Sequence, residues 1–281
     1  MQDFTWDPQQ YTVYADRRAR PFHDLTARVR ATDPKLVVDL GCGPGNMTRT
    51  LAERWPGARV RGLDSSADMV ATAQQSAAGS GAPSNLEFAQ VDAQRWSPEP
   101  EVDVLVSNAM LQWIPDHRRL VADWLEALRP GAWFAVQVPG NFAAPSHATI
   151  AELSRRPEYA HVLEGVTDRE SVYTTDEYLE TLVTAGFEPD VWETTYSQTL
   201  SGENPVYDWV RGAALRPSLQ RLEAADRRDG TNLLDQYVEE YRRIMREAYP
   251  RFSTPDGVFL TDYPFRRIFV VGVKKGLAPS I

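Results

Sequence analysis

Five short apolar runs punctuate the first half of the chain, at Leu36 to Leu40, Val60 to Leu63, Leu86 to Val91, Val102 to Val106 and Trp133 to Val138. Their length and β-branched content predict buried strands. Between them apolar positions recur at helical spacing, over Thr48 to Trp55, Ser66 to Ala78 and Asp116 to Leu128. Ser66 precedes Met69 and Val70 as an N-terminal signal, and Pro130-Gly131 stops the helix that leads into the Trp133 run. Strands and helices alternating in this way predict an α/β fold with a mostly parallel sheet covered on both faces.

Beyond Pro139 the rhythm changes. Residues 141–173 are polar, contain His147, Arg155-Arg156-Pro157 and His161, and read as an insertion over the sheet edge. Thr175 to Ala185, closed by Gly186, predicts a helix, and Phe187 to Tyr196 and Phe265 to Val273 predict the last two strands. About seventy residues of mostly helical pattern separate these strands, far more than a hairpin needs, which suggests a cap. The expected organisation is one domain over 1–281, with an N-terminal helical lid (1–32) and a ligand-binding core (33–140). Helical cap insertions (141–173 and 198–262) and the remaining core elements (174–197 and 263–275) complete it.

A chain of 281 residues suffices for one large core with insertions. Its net charge of -9 gives no general reason to seek nucleic acid or anionic lipid, so an anionic ligand needs a local arginine cluster. Cys42 is the sole cysteine, which excludes an internal disulfide and fits a reducing cytoplasm; the start Met1-Gln2-Asp3-Phe4 lacks a basic leader. No apolar run is long enough to span a bilayer. Four histidines without HExxH or CxxC spacing offer no metal site, and no obligate protein partner is evident.

The chemistry concentrates at Val37-Val38-Asp39-Leu40-Gly41-Cys42-Gly43-Pro44-Gly45-Asn46, a strand running into a glycine turn and then a helix. The glycines allow close approach of main chain to a ligand, and the helix start presents free N–H groups. The spacing is GxGxG, not the GxGxxG that seats a pyrophosphate. Asp64 ends the second strand about twenty residues on, where a carboxylate can accept both ribose hydroxyls. The string DLGCGPG resembles the cofactor motif of class I S-adenosylmethionine-dependent methyltransferases. That resemblance implies a Rossmann-like sheet with one antiparallel strand near the C-terminus and S-adenosyl-L-methionine as cofactor. It implies a cofactor site drawn from Asp39, Gly41, Cys42, Gly43, Asn46, Asp64, Ser65, Met69, Asp92, Ala93 and Asn108, with Asp92 meeting the adenine amino group. Cys42, between two glycines and without a nearby histidine, reads as a packed residue and not a nucleophile.

A narrower resemblance covers nearly the whole chain. Trp6-Asp7-Pro8, Tyr11, Arg18-Ala19-Arg20-Pro21, Leu111-Gln112-Trp113 with Pro115-Asp116-His117, and Ala135-Val136-Gln137-Val138-Pro139 with Asn141 resemble the trans-aconitate 2-methyltransferases. So do Pro145-Ser146-His147, Val191-Trp192-Glu193-Thr194-Thr195-Tyr196, Asp208-Trp209-Val210, Leu215-Arg216-Pro217 and Pro264-Phe265-Arg266-Arg267. The stretches Ser76 to Ser84 and Asp226 to Asn232 depart from the pattern. The resemblance implies methyl esterification of a small tricarboxylate, with no catalytic base because the carboxylate is already ionised.

Candidate acceptor-binding residues follow from position and type. Arg18, Arg20, Arg216 and Arg267 form the expected anion clamp, since a guanidinium matches a carboxylate at two points. Trp113, Trp192 and Trp209 are candidate walls, Gln137 and Asn141 candidate donors beside Asn108, and His117 and His147 candidate carboxylate partners. Tyr11 and Tyr14 belong to the expected lid. The competing classes are a methyltransferase of the same fold acting on another acceptor, a nicotinamide dehydrogenase, and a non-catalytic cofactor-binding protein.

Overall fold

A computed structural model describes residues 15–166 and 172–276, the side chains of 15–18 excepted. The chain divides into two compact units. Of the described residues, one comprises 15–139, 172–194 and 267–276; the other comprises 140–166 and 195–266.

The first unit begins with α1 (Ala15–Ala27) and then alternates strand and helix: β1 (Leu36–Leu40), α2 (Asn46–Arg54), β2 (Arg59–Asp64), α3 (Ala67–Ala77), β3 (Leu86–Gln90), β4 (Val104–Asn108), α4 (His117–Ala127) and β5 (Trp133–Pro139). Helix α7 (Thr175–Thr184) follows, then β6 (Phe187–Ser201) and, last, β8 (Phe259–Lys274). The division between units falls within β6 and within β8. The strand order is β3-β2-β1-β4-β5-β8-β6. β1 pairs in parallel with β2 and β4, β4 in parallel with β5, and β8 antiparallel to β5. The expected Rossmann-like sheet with an antiparallel strand near the C-terminus is therefore present. Because β1 lies between β2 and β4, the chain order reverses there, and the crevice outside the carboxyl ends of β1 and β4 is the place for a ligand.

Period-two alternation sorts the strand residues onto two faces. Val38, Leu40, Leu105, Phe134, Val136, Val138, Ile268 and Val270 form one core with Trp124 and Leu125 of α4 and Tyr178 and Leu182 of α7. On the opposite face, where α1 packs against β5 and α2 against β2, the alternate residues include Val106, Ala135 and Val271. Toward the carboxyl ends of the strands this second face turns polar. Asp39, Asn108, Gln137 and Arg267 replace the aliphatic residues there.

The second unit holds α5 (Pro145–Ser154), α6 (Pro157–Leu163), α8 (Pro205–Val210), α9 (Arg216–Asp229), α10 (Leu233–Ala248) and the short strand β7 (Arg251–Ser253). Proline opens α5, α6 and α8, at the position where its missing N–H costs nothing. Tyr237, Tyr241 and Met245, spaced four apart on α10, are buried. β7 pairs with the start of β8 through Arg251 and Thr261, a hairpin absent from the sequence reading. The residues 141–173, expected as a polar, helical cap insertion, contain α5 and α6. No described helix is long and apolar enough to cross a membrane.

Candidate active site

The glycine turn after β1 is tied to β2 by backbone. Gly41 and Cys42 both donate N–H to the Leu63 carbonyl, at 2.7 and 3.1 Å. Each glycine answers a different demand. A Cβ on Gly41 (φ +79°) would lie 2.5 Å from Met110 Cγ, and one on Gly45 (φ +81°) 2.5 Å from the Phe88 ring. Gly43 (φ +56°) alone of the three faces nothing within 4 Å among the described residues. Gly41 and Gly45 are thus required by packing against the chain's own side chains, while Gly43 is the point where a ligand can approach the backbone. Gly45 caps α2 without any side-chain hydrogen bond, leaving the N–H groups of that first turn for a ligand.

Beneath the turn lies Asp39, 2% exposed. Thr48 of α2 donates its hydroxyl to Asp39 Oδ2 at 2.6 Å. Burial raises the Asp39 carboxyl to about 7, against the lowering effect of Thr48, and the nearby Asp64 charge raises it further. The fold therefore holds this proton more tightly than the unfolded chain, whose carboxyl titrates near 4. This contribution to stability is complete below about pH 4 and is lost as pH rises through about 7. Asp39→Asn, which fixes the uncharged form, is expected to raise Tm by roughly 3 °C or more at pH 8 relative to its effect at pH 4, where the wild-type carboxyl is largely protonated in the fold and half-protonated in the unfolded chain. Equal melting shifts at both pH values would contradict this account.

Asp64 closes the turn from the other side. Its Oδ2 accepts Gly43 N–H at 2.8 Å and its Oδ1 accepts Ser66 N–H at 2.9 Å. Ser66 then caps α3 by accepting Met69 N–H, which brings the buried Met69 beside the turn; Ser65 and Asn46 are exposed. Asp92 accepts Gln94 N–H at 3.0 Å and so starts a 3₁₀ turn whose first residue, Ala93, is buried. Cys42 is 7% exposed, and burial pushes its thiol well up, as suits a packed residue. Phe88, Cys42, Val70 and Ala73 form the small apolar cluster under the turn.

On the polar side of the sheet Asn108 and Gln137 are cross-strand partners, and Gln137 is in turn opposite Phe269 of β8. Gln137 is 1% exposed, yet among the described residues neither its Oε1 nor its Nε2 has a hydrogen-bond partner, and Asn108 Oδ1 is buried in the same state. Each such group costs about 1–3 kcal/mol, and a native site that retains several of them marks a place for a ligand or ordered water. Arg267, 7% exposed, lies opposite Pro139 and two residues from Phe269, hence on this face. Trp192 stacks on Phe269 at 4.6 Å between ring centroids and carries the Arg28 guanidinium 4.8 Å from its own. Trp192 is thereby engaged in packing, not offered as a stacking wall. Trp113 is half-buried in the 3₁₀ turn Leu111–Trp113.

His117 departs from its expected role as a carboxylate partner. It is 4% exposed; Nδ1 lies 3.2 Å from the Ile114 carbonyl and Nε2 2.7 Å from Tyr178 OH. A carbonyl only accepts, so Nδ1 carries the proton and Nε2 accepts from Tyr178. Both ring nitrogens are thus committed to joining α4 to α7, on the face opposite Gln137. Arg20 is exposed on α1. Tyr11 and Tyr14 lie outside the described residues, as does the side chain of Arg18.

In the second unit Asn141 is 4% exposed, with Nδ2 3.3 Å from His147 Nδ1 and a buried Oδ1 without a partner among the described residues. Ser146 ties this pair to a tyrosine cluster. Its N–H donates to Tyr249 OH (3.2 Å), its carbonyl accepts from Tyr241 OH (2.7 Å), and its hydroxyl meets Tyr263 OH and His147 Nδ1, both at 3.1 Å. Arg216 is half-buried at the start of α9, with its Nε buried and unpartnered. Trp209 is core, packed edge-on to Phe265 and tilted against Tyr263. Thr48, Phe88 and Met110 shape the site through contacts that no sequence motif announces.

A family profile described as a methyltransferase domain matches residues 37–131. The chain is 47% identical to the trans-aconitate 2-methyltransferase of Rhodococcus jostii over 95% of its own length and 98% of that protein. It is likewise 47% identical to the trans-aconitate 2-methyltransferase of Streptomyces avermitilis, over 96% of its length and 97% of that protein. The chain belongs to the trans-aconitate 2-methyltransferase family. Among solved structures, the phosphoethanolamine N-methyltransferase 2 of Haemonchus contortus superposes with a TM-score of 0.52 at 17% identity, over 93% of this chain and 53% of that one. That likeness concerns the fold alone. Family membership over this length extends beyond the glycine turn to the polar strand ends, where Gln137 and Arg267 sit.

Proposed function

We propose that this member of the family transfers a methyl group from S-adenosylmethionine to one carboxylate of trans-aconitate, giving a monomethyl ester and S-adenosylhomocysteine. The observation that carries the reading is Gln137, sealed in the sheet beside Asn108 and on the face of Arg267, with both amide atoms unpartnered among the described residues. The residues fit the donor. Gly43 offers open main chain, Asp64 has lone pairs beyond its two backbone bonds, Met69 is an apolar neighbour, and Asp92 and Ala93 stand after β3. When bound, the donor supplies a sulfonium-activated methyl, so that a new O–C bond forms at an ionised carboxylate as the S–C bond breaks.

The chain's own contribution is orientation and exclusion of water. A carboxylate with a solution pKa near 4 is already the nucleophile at neutral pH, so no base is needed. Gln137 and Asn108 supply amide hydrogen bonds, and Arg267 a two-point charge partner. Holding the acceptor oxygen in line contributes several kcal/mol or more. The test is mass spectrometry of products from purified protein, methyl-labelled donor and a panel of di- and tricarboxylic acids. Label is expected in a trans-aconitate methyl ester. Label retained in the donor with every acid would refute the reading.

A further inference from the structure

Among the described residues two that are not glycine have positive φ, and one of them, Ala109 (φ 55°), directly follows Asn108 at the end of β4. The left-handed region brings Cβ against the carbonyl and is disfavoured for alanine, so something must hold the residue there. Two hydrogen bonds do. Ala109 N–H donates to the Gln137 carbonyl at 2.9 Å, and Gln112 Nε2 donates to the Ala109 carbonyl at 2.5 Å. Only the second comes from a side chain. Because a carbonyl can only accept, the Gln112 amide has one orientation, which leaves its Oε1 buried and unpartnered on the far side. The reversed backbone at Ala109 sends the next side chain, Met110, across Gly41, where its Cβ and Cγ occupy the space a Gly41 side chain would need.

We infer that Gln112 is a positioning residue for donor binding: by pinning Ala109 in the left-handed conformation it lays Met110 against Gly41 and so sets the glycine turn. The inference rests on the proposed donor, S-adenosylmethionine. Without the amide donor Ala109 relaxes toward ordinary φ, Met110 leaves Gly41, and the turn must be reordered at the expense of binding. Glycine at 109 needs no such clamp, since positive φ is as accessible to it as negative.

Calorimetric titration of S-adenosylmethionine into four proteins tests this. Gln112→Met, close in volume but without the donor, is expected to raise Kd about tenfold, equivalent to about 1.4 kcal/mol. Ala109→Gly alone is expected to bind within threefold of wild type. The double variant Q112M/A109G is expected to return to within threefold of wild type, a rescue that a merely structural role for Gln112 would not produce. Undiminished binding by Q112M, a loss in A109G alone, or a loss in Q112M without rescue would each overturn the inference. If Q112M does not fold, Gln112→Asn, one methylene too short to reach the Ala109 carbonyl, reads the same loss. Failure of the wild-type protein to bind the donor would instead end the functional reading above.

Discussion

Replacing Asp64 by alanine is expected to raise the donor's dissociation constant about a hundredfold. Among the described residues the carboxylate is the side chain that grips both the glycine turn and the start of α3, through Gly43 N–H and Ser66 N–H. Hydrogen bonds to a charged group contribute about 1.5–3 kcal/mol each, so losing the two that the proposed donor's ribose hydroxyls would make to the carboxylate amounts to about a hundredfold in affinity at the lower bound. The turn loses its two backbone bonds to that carboxylate in the same stroke. Asp64→Asn keeps one acceptor oxygen but turns an N–H toward one of the two backbone donors, so an intermediate loss is expected. Titration calorimetry on both variants measures the effect. A change below threefold for Asp64→Ala would remove Asp64 from the donor site.

How far the site was readable follows from the range of the contacts involved. β1 was found at its observed limits because an apolar run stops abruptly at Gly41, a purely local signal. The outer parts of β6 and β8 were missed because they lack such a run: Gln198 and Leu200 are buried between exposed Ser197 and Thr199, and Thr261 and Tyr263 between exposed Phe259, Asp262 and Pro264. This alternation reveals a strand only once its partner is known, and the same holds for the three-residue β7.

The donor-side motif was legible for the same local reason, since the glycine turn and Asp64 stand at fixed offsets from strands. His117 was not. Its place after β4 suggested a ligand role, yet Tyr178, the residue that decides its chemistry, is 61 positions away. Thr48, Phe88 and Met110 were invisible because each is an ordinary residue made functional by what it touches. Phe88 fills the space over Gly62 as well as Gly45, so one ring explains two glycines on different elements. Gln137 was legible as a strand-end amide, but only the structure reveals that its burial leaves both amide atoms unanswered.

Arg267→Lys is expected to raise the KM for trans-aconitate about thirtyfold while leaving the donor's Kd within threefold of wild type. Arg267 is 7% exposed on β8, opposite Pro139 at the carboxyl end of β5 and on the face that carries Gln137. A guanidinium there presents a planar pair of N–H donors to a carboxylate, whereas an ammonium is a point charge with rotating donors and a stronger hold on water. The substitution keeps the charge, so long-range attraction survives and the loss isolates the two-point geometry. Thirtyfold corresponds to about 2 kcal/mol, the scale of one charge-assisted hydrogen bond. If the arginine also aligns the acceptor for in-line attack, kcat falls along with kcat/KM; if it only binds, KM alone rises. Steady-state kinetics with each ligand varied in turn separates the two. Equal losses for donor and acceptor would mean that the buried guanidinium supports the sheet end and does not clamp the anion.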